Sequence, residues 1–214
     1  AGDRVVREYV EGPDYSPYPP LDAAGYGQKI RTLLDLYPWE IQLAQLNLLS
    51  SHDTARILTV AGGDRASVQL AVLLQMTFPG APCIYYGDEV GLPGALDPDC
   101  RRSFPPASAW DHELLQTHRA LIALRHQYPA LRTGSYRQFH AEGWVYGFER
   151  AWADSQLAIV VNAGESPAQV PLPTPQAGVK LLYGSAEVTV SAPSEGADWG
   201  VTLPPRQGCV IALR

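Results

Sequence analysis

The sequence predicts an α/β front half, residues 1–132, joined to an all-β back half, residues 133–214. Three observations predict it. In the front half, apolar residues recur at helical spacing and are interrupted by two short, nearly continuous apolar runs. From Thr133 the apolar period switches from about 3.6 to 2. Short apolar segments then follow at regular intervals, separated by Gly, Pro and Asn, which is the pattern of an antiparallel sandwich.

Taken in order, Ala1 to Pro20 is rich in Pro, Gly and Tyr and reads as loop. Asp22 is placed to cap a helix running to Tyr37, with Ile30, Leu33, Leu34 and Tyr37 on one stripe and Pro38 as its stop. Ala44 to Leu49 reads as a buried parallel strand covered on both faces. Asp64 caps a second helix to Phe78, and Pro79-Gly80-Ala81-Pro82 turns the chain into a second buried strand, Cys83 to Tyr86. A polar loop follows to Trp110, and Asp111 opens a third helix with Leu114, His118, Leu121, Ile122 and Arg125 on one stripe. In the back half, strands are expected around Trp144–Phe148, 157–161, 170–172, 179–182, 188–190, 201–203 and 209–213. Trp144, Tyr146 and Phe148 alternate as one face of the sandwich core, a reading preferred over a sugar-stacking platform.

Composition narrows the partners. Hydrophobic residues make up 46% of the 214 and charged residues 18%, enough to bury a core. A net charge of -6 argues against nucleic acid or an anionic membrane surface. No apolar run approaches the roughly 20 residues of a membrane span, and no signal peptide is visible. Cys83, Cys100 and Cys209 have neither disulfide nor metal spacing. No stretch has the alternating oxygen ligands of a calcium loop, so neither metal nor cofactor is expected.

Chemistry concentrates at the end of the first buried run, in Leu48-Leu49-Ser50-Ser51-His52-Asp53-Thr54-Ala55-Arg56. On position alone, Asp53 could simply cap the next turn with His52 in solvent. An imidazole and a carboxylate at the tip of a parallel strand are equally where barrel enzymes build sites. Downstream, Asp97 and Arg101 stand four apart in a loop, either as a local ion pair or as a gripping pair.

Ser50-Ser51-His52-Asp53-Thr54-Ala55-Arg56 resembles the fourth signature segment of the alpha-amylase family of glycoside hydrolases. Pro79 to Leu92 resembles that family's eighth barrel strand and exit loop. Asp97-Pro98-Asp99-Cys100-Arg101-Arg102 is similar to the neopullulanase, cyclomaltodextrinase and maltogenic amylase branch, as are Leu21 to Ala24 and Tyr37 to Glu40. Pro106 departs from the pattern, which usually carries Trp-Asp there; here Trp110-Asp111 comes a few residues later.

The resemblance implies that the front half is the last two strand-helix units of a (β/α)8 TIM barrel, ahead of an antiparallel β-sandwich. It implies that Asp53 stabilises an oxocarbenium-like transition state and that His52 binds the same sugar. Asp97 and Arg101 would grip the neighbouring glucose, and Arg56 would anchor nearby carboxylates. The implied partner is an alpha-glucan or maltooligosaccharide, in the cytoplasm.

Such enzymes also need a nucleophile and an acid-base carboxylate, about 5 to 5.5 Å apart when they retain configuration. None of Asp3, Glu8, Glu11, Asp14, Asp22, Asp35 and Glu40 sits in a segment resembling either. The expectation is a carboxyl-terminal portion of a retaining alpha-glucan hydrolase, inactive alone, that self-associates or pairs with the missing barrel half. The rival readings are a non-catalytic glucan-binding or interaction module and one half of a split enzyme.

Overall fold

The computed structural model describes residues 5–10, 20–173, 178–192 and 199–213. Most of the expected amino-terminal loop lies outside them. Asp22 caps α1 (Ala23–Leu34) through its carboxylate, which accepts from the Gly25 N–H at 2.7 Å. The helix stops at Leu34, three residues short of expectation, and Leu33 and Tyr37 are exposed. A short helix that the sequence reading did not foresee, α2 (Trp39–Ala44), takes up the chain next. It carries Gln42, which is 3% exposed and donates from Nε2 to the Leu33 and Leu34 carbonyls, closing the end of α1.

That helix leaves only Leu46–Leu48 for strand β1, which pairs in parallel with β2 (Ala81–Cys83). Both strands are shorter than expected, and the second begins two residues earlier. Pro82 is tolerated in β2 because, among the described residues, β1 is its only neighbour and its other side is an open edge. The expected cover on both faces is absent among the described residues: Leu46 is 61% exposed and Leu48 48%. Between the two strands lie α3 (Ile57–Val60) and α4 (Arg65–Thr77). Asp64 sits at the head of α4, where its carboxylate takes the Ser67 hydroxyl and the Arg206 guanidinium. After β2 the chain runs through three single-turn 3-10 segments into α5 (His112–Gln127), whose cap is Asp111, accepting from the Glu113 and Leu114 N–H groups. A short α6 (Ala130–Thr133) follows.

The all-β back half is present as two antiparallel sheets. The larger contains β3 (Ser135–Glu142), β4 (Val145–Trp152), β5 (Ser155–Asn162), β7 (Val179–Tyr183) and β10 (Gln207–Leu213), in the order β3-β4-β5-β10-β7. The smaller is β6 (Ala168–Pro171), β9 (Gly200–Leu203) and β8 (Thr189–Ser191). Period-2 alternation gives the large sheet two apolar faces. Ala158, Val160, Cys209 and Ile211 meet Val170, Val201 and Leu203 of the small sheet. Leu157, Ile159 and Val210 face the other way, onto Val72, Leu73 and Met76 of α4 and Leu114 and Leu121 of α5. One core thus runs from the helices into the sheet across residue 132. Gly208 allows the approach, since a Cβ there would come within 2.4 Å of a Leu73 methyl.

The aromatic stripe divides. Tyr146 and Phe148 are buried, but against the helices rather than inside the sandwich, whereas Trp144 precedes β4 and is 40% exposed. The turn at Gly143 places Trp144 outside the ladder that fixes the alternation.

Two buried arginines tie the halves together. Arg125 of α5 donates to the Met76, Phe78, Gly80 and Leu131 carbonyls. Arg150 of β4, fully buried, donates to Thr77, Leu131, Ser135 and Gly134. Both serve the otherwise unsatisfied carbonyls at the end of α4, where the helix dipole favours a cation. Burial lowers both pKa values, to about 10 for Arg125 and about 9 for Arg150, so both are charged at neutral pH. Replacing Arg150 by Met removes the side-chain donor from the buried Thr77 and Gly134 carbonyls and leaves Leu131 to Arg125 alone. We expect Arg150→Met to lower unfolding free energy by about 3–5 kcal/mol in urea titration; a loss below about 1 kcal/mol would show that the guanidinium is dispensable.

Candidate active site

The tip that follows β1 is built by short-range hydroxyl contacts. Ser50, 2% exposed, accepts the Ile57 N–H on its Oγ at 2.8 Å and so fixes the start of α3. Thr54 Oγ1 accepts from the Ser51 N–H at 2.9 Å, and Ser51 Oγ accepts from the Asp53 N–H at 3.1 Å. This tight turn turns His52 and Asp53 outward, with side chains 66% and 69% exposed and His52 Nε2 3.2 Å from Asp53 Oδ2.

The Asp97–Arg101 loop lies against this tip. Arg101 Nε is 2.7 Å from Asp97 Oδ1 and also donates to the His52 carbonyl at 3.0 Å, while Arg101 Nη2 is 3.6 Å from Asp53 Oδ1. All four residues singled out from sequence therefore meet around one guanidinium. The Asp97–Arg101 pair is more than a local contact, because the same cation reaches across 48 positions to Asp53. Asp97 and Arg101 are half exposed, at 54% and 49%, so this cluster faces solvent.

Beneath it sits a buried layer organised by Arg56, which is fully buried. Its Nε donates to the Cys100 carbonyl at 2.9 Å, and its Nη1 donates to the Tyr86 carbonyl at 2.6 Å and to Asp88 Oδ1 at 3.1 Å. Its guanidinium carbon lies 4.4 Å from the centre of the Tyr85 ring and 4.7 Å from that of Tyr86. Arg56 thus anchors a carboxylate, as expected, and in addition pins the far loop. Cys100 is buried rather than placed in an open polar loop, and its thiol points to the His52 carbonyl at 3.2 Å. Gly94 makes room for the layer: a Cβ there would sit 2.9 Å from the Asp99 carbonyl oxygen and 3.2 Å from Arg56 Cδ. The loop is further tied by Asp99, which accepts from the Ala95 N–H and from both Arg102 nitrogens. These bonds hold the Asp99 carboxyl below its ordinary pKa.

Asp88, Ser50 and the Tyr85–Tyr86 cage were not picked out by sequence as site supports. All of them lie in the segments Ser50 to Arg56 and Pro79 to Leu92 that carry the family resemblance, which gave each segment as a whole and no supporting role to these residues. Among the described residues, no cluster of three or more His, Cys, Asp or Glu is placed to hold a metal ion. No helix among them is long and apolar enough to cross a membrane.

Residues 22–104 match the family model for the alpha-amylase catalytic domain. A cyclomaltodextrinase of Geobacillus thermopakistaniensis (strain MAS1) is 38% identical over 86% of this chain and 32% of its own length. Neopullulanase 2 of Thermoactinomyces vulgaris is 41% identical over 82% of this chain and 30% of its own. Among solved structures, the native form of the Nostoc punctiforme debranching enzyme superposes with a TM-score of 0.89 and 54% identity. It covers 99% of this chain and 44% of that one; the same enzyme has also been solved after soaking with acarbose. The chain belongs to the alpha-amylase family of glycoside hydrolases. Within it, the likeness is to the neopullulanase, cyclomaltodextrinase and maltogenic amylase branch. The chain spans about a third of the length of these curated relatives and less than half of the Nostoc structure.

Two predictions follow from the buried layer. Burial dominates at Asp88 and raises its carboxyl to about 6, against the opposing pull of Ser50 and Arg56. The folded state therefore holds this proton more tightly than the unfolded chain. The stabilisation is complete below about pH 4 and is lost as pH rises through about 6. Asp88→Asn, which cannot ionise, should gain on the wild type by up to about 3 kcal/mol between pH 4 and 6.5 in paired urea titrations; a gap constant with pH would refute the shift. Arg56→Lys keeps the charge but loses the fork to the Cys100 carbonyl. Alkylation of Cys100, followed by peptide mass mapping, should accelerate at least about tenfold, and an unchanged rate would mean that Arg56 does not hold this loop down.

Proposed function

We propose that this chain supplies the transition-state-stabilising part of a retaining alpha-glucan hydrolase. The observation that carries the reading is the convergence of Asp53, His52 and Asp97 on the Arg101 guanidinium at the tip of a parallel strand. An exposed carboxylate held by one cation and one imidazole can accept two sugar hydroxyls. Hydroxyl contacts that tighten as the ring flattens toward an oxocarbenium ion favour the transition state over the ground state. In this reading Asp53 binds the sugar being cleaved and His52 hydrogen-bonds it. Asp97 and Arg101 grip the next glucose, as a planar guanidinium and its carboxylate are suited to do.

The nucleophile and the acid-base are then carried by barrel strands that these 214 residues do not include. The relatives' two- to three-fold greater length supports this, as do the exposed faces of Leu46 and Leu48, which eight-stranded closure would bury. Residues 1–132 would be the last two strand-helix units of that barrel and 133–214 its carboxyl-terminal sandwich domain. The remaining strands would come from the same polypeptide, a separate half or, as cover only, a second copy. An alpha-glucan or maltooligosaccharide in the cytoplasm would be the substrate.

The test uses the chain alone and mixed with the separately expressed complementary portion of the Nostoc debranching enzyme, with maltooligosaccharide, cyclodextrin and pullulan as substrates. The chain alone should not turn over. Activity of the mixture should fall about 100- to 1,000-fold with Asp53→Asn, the size of losing a transition-state contact. Turnover by the chain alone that Asp53→Asn abolishes would overturn the missing-carboxylate proposal. Full activity of the Asp53→Asn mixture would overturn the role given to Asp53.

A further inference from the structure

A groove runs along the outer edge of the large sheet, on a different set of residues from those around Asp53. Two hollows make it up, of about 760 and 380 Å³. Both are lined by Tyr136 of β3 and by Trp39 of α2, so the two hollows share these rings. Among the described residues β3 is an edge strand with β4 as its only sheet neighbour. Trp152, 53% exposed, lines the larger hollow together with Glu40. Asp35 lines the smaller one. The volumes fall in the range of ligand clefts.

The side chains on this groove are unspent. Among the described residues neither Trp39 nor Trp152 packs on another aromatic ring, and neither indole N–H has a protein acceptor. Tyr136, the third ring on the groove, is by contrast engaged: it stacks on Phe148 at 4.9 Å and bonds the Tyr146 hydroxyl. The Glu40 and Asp35 carboxylates likewise make no ion pair or side-chain hydrogen bond among the described residues, whereas Asp97, Asp99 and Asp111 all do. Two open indoles with free N–H donors and two open carboxylates form a chemically specific set. Flat apolar rings with a polar tip suit the C–H face of a pyranose, and carboxylates accept from pairs of vicinal hydroxyls. A polyanion is disfavoured by the acids. Against a cationic ligand stands the guanidinium of Arg31, which lines the same hollow as Asp35.

We propose that this groove is a second saccharide site, distinct from the Asp53 tip, that holds a linear maltooligosaccharide segment. That the sugar is an alpha-glucan rests on the function proposed above; the existence of the site rests on the groove alone. Trp152 and Trp39 would be the stacking platforms, with Glu40 and Asp35 accepting from hydroxyls between and beyond them.

The test is binding of maltoheptaose to the full chain, by calorimetry and by retardation in amylopectin gels. Cellohexaose serves as the comparison sugar. Trp152→Ala, at an exposed position, should weaken maltoheptaose binding at least tenfold with an unchanged thermal midpoint, and Glu40→Gln should weaken it several-fold. Trp39→Phe, which keeps a ring and the fold, should weaken it less than Trp39→Ala. Asp53→Asn should remove at most the tip-bound part of the binding and leave the Trp152-dependent part: loss of all binding with Asp53→Asn and none with Trp152→Ala would overturn the groove while sparing the function proposed above. Absence of any maltoheptaose binding would overturn the groove too. Equal binding of cellohexaose would overturn the alpha-glucan assignment, and binding of a Lys-rich peptide in place of either sugar would make the groove a peptide site.

Discussion

The fold depends on satisfying the carbonyl end of α4. That helix is central to the chain: it runs toward β2, packs on α5 and lays Leu73 against Gly208 of β10. Its last carbonyls point into a buried interface, where an unpaired acceptor costs about 1–3 kcal/mol each. Arg125 and Arg150 arrive from a helix and a strand to satisfy them, and both also bond the Leu131 carbonyl. One pair of cations therefore sets the distance between the helical layer and the large sheet. The apolar contacts that stabilise the molecule can form only at that spacing. The same arrangement makes the two halves energetically one, although their secondary structure is of different classes.

A third buried guanidinium repeats this logic beneath the site. Arg56 bonds backbone at Tyr86 and Cys100, on either side of the exit loop, from a position three residues after Asp53. The loop in turn reaches back to the His52 carbonyl through the Cys100 thiol and Arg101. The exposed residues need little rigidity of their own, since the layer under them is closed, buried and flanked by two rings. Exposed ion pairs such as Asp97–Arg101 contribute little stability. Their value here is orientation: Arg101 holds two carboxylates and one carbonyl in a fixed relation at the surface where a sugar would lie.

Local chemistry explains which parts were legible in sequence. Asp22 and Asp111 declare their helices because the cap and the N–H it satisfies lie within three residues. The His52–Asp53 tip and the Asp97–Arg101 loop were legible as motifs. α2 was not, because it ends α1 through the Gln42 side chain, and a buried amide capping a helix eight or nine positions back leaves no pattern. β3 was also missed: its alternation is broken by a register shift between Gln138 and His140, and polar residues occupy positions that face α1. The Arg56 layer was read as an anchor but not as a clamp, since its partners lie 30 and 44 positions away. Long-range backbone acceptors are invisible to any reading of residue types.

The parallel pair is where the chain's own physics is least complete. β1 and β2 carry three residues each and expose two leucines, yet the tip that grows from β1 is the best-defined cluster of polar contacts on the surface. The contrast is consistent because the tip does not rely on the strands for its geometry. Ser50 is fixed to α3, Arg56 to the exit loop, and α3 and α4 to the helix–sheet core. The strands only deliver the chain to that point. A tip supported from its helical side can keep its shape without cover on its strand side, so the polar cluster around Arg101 stands as a preformed unit.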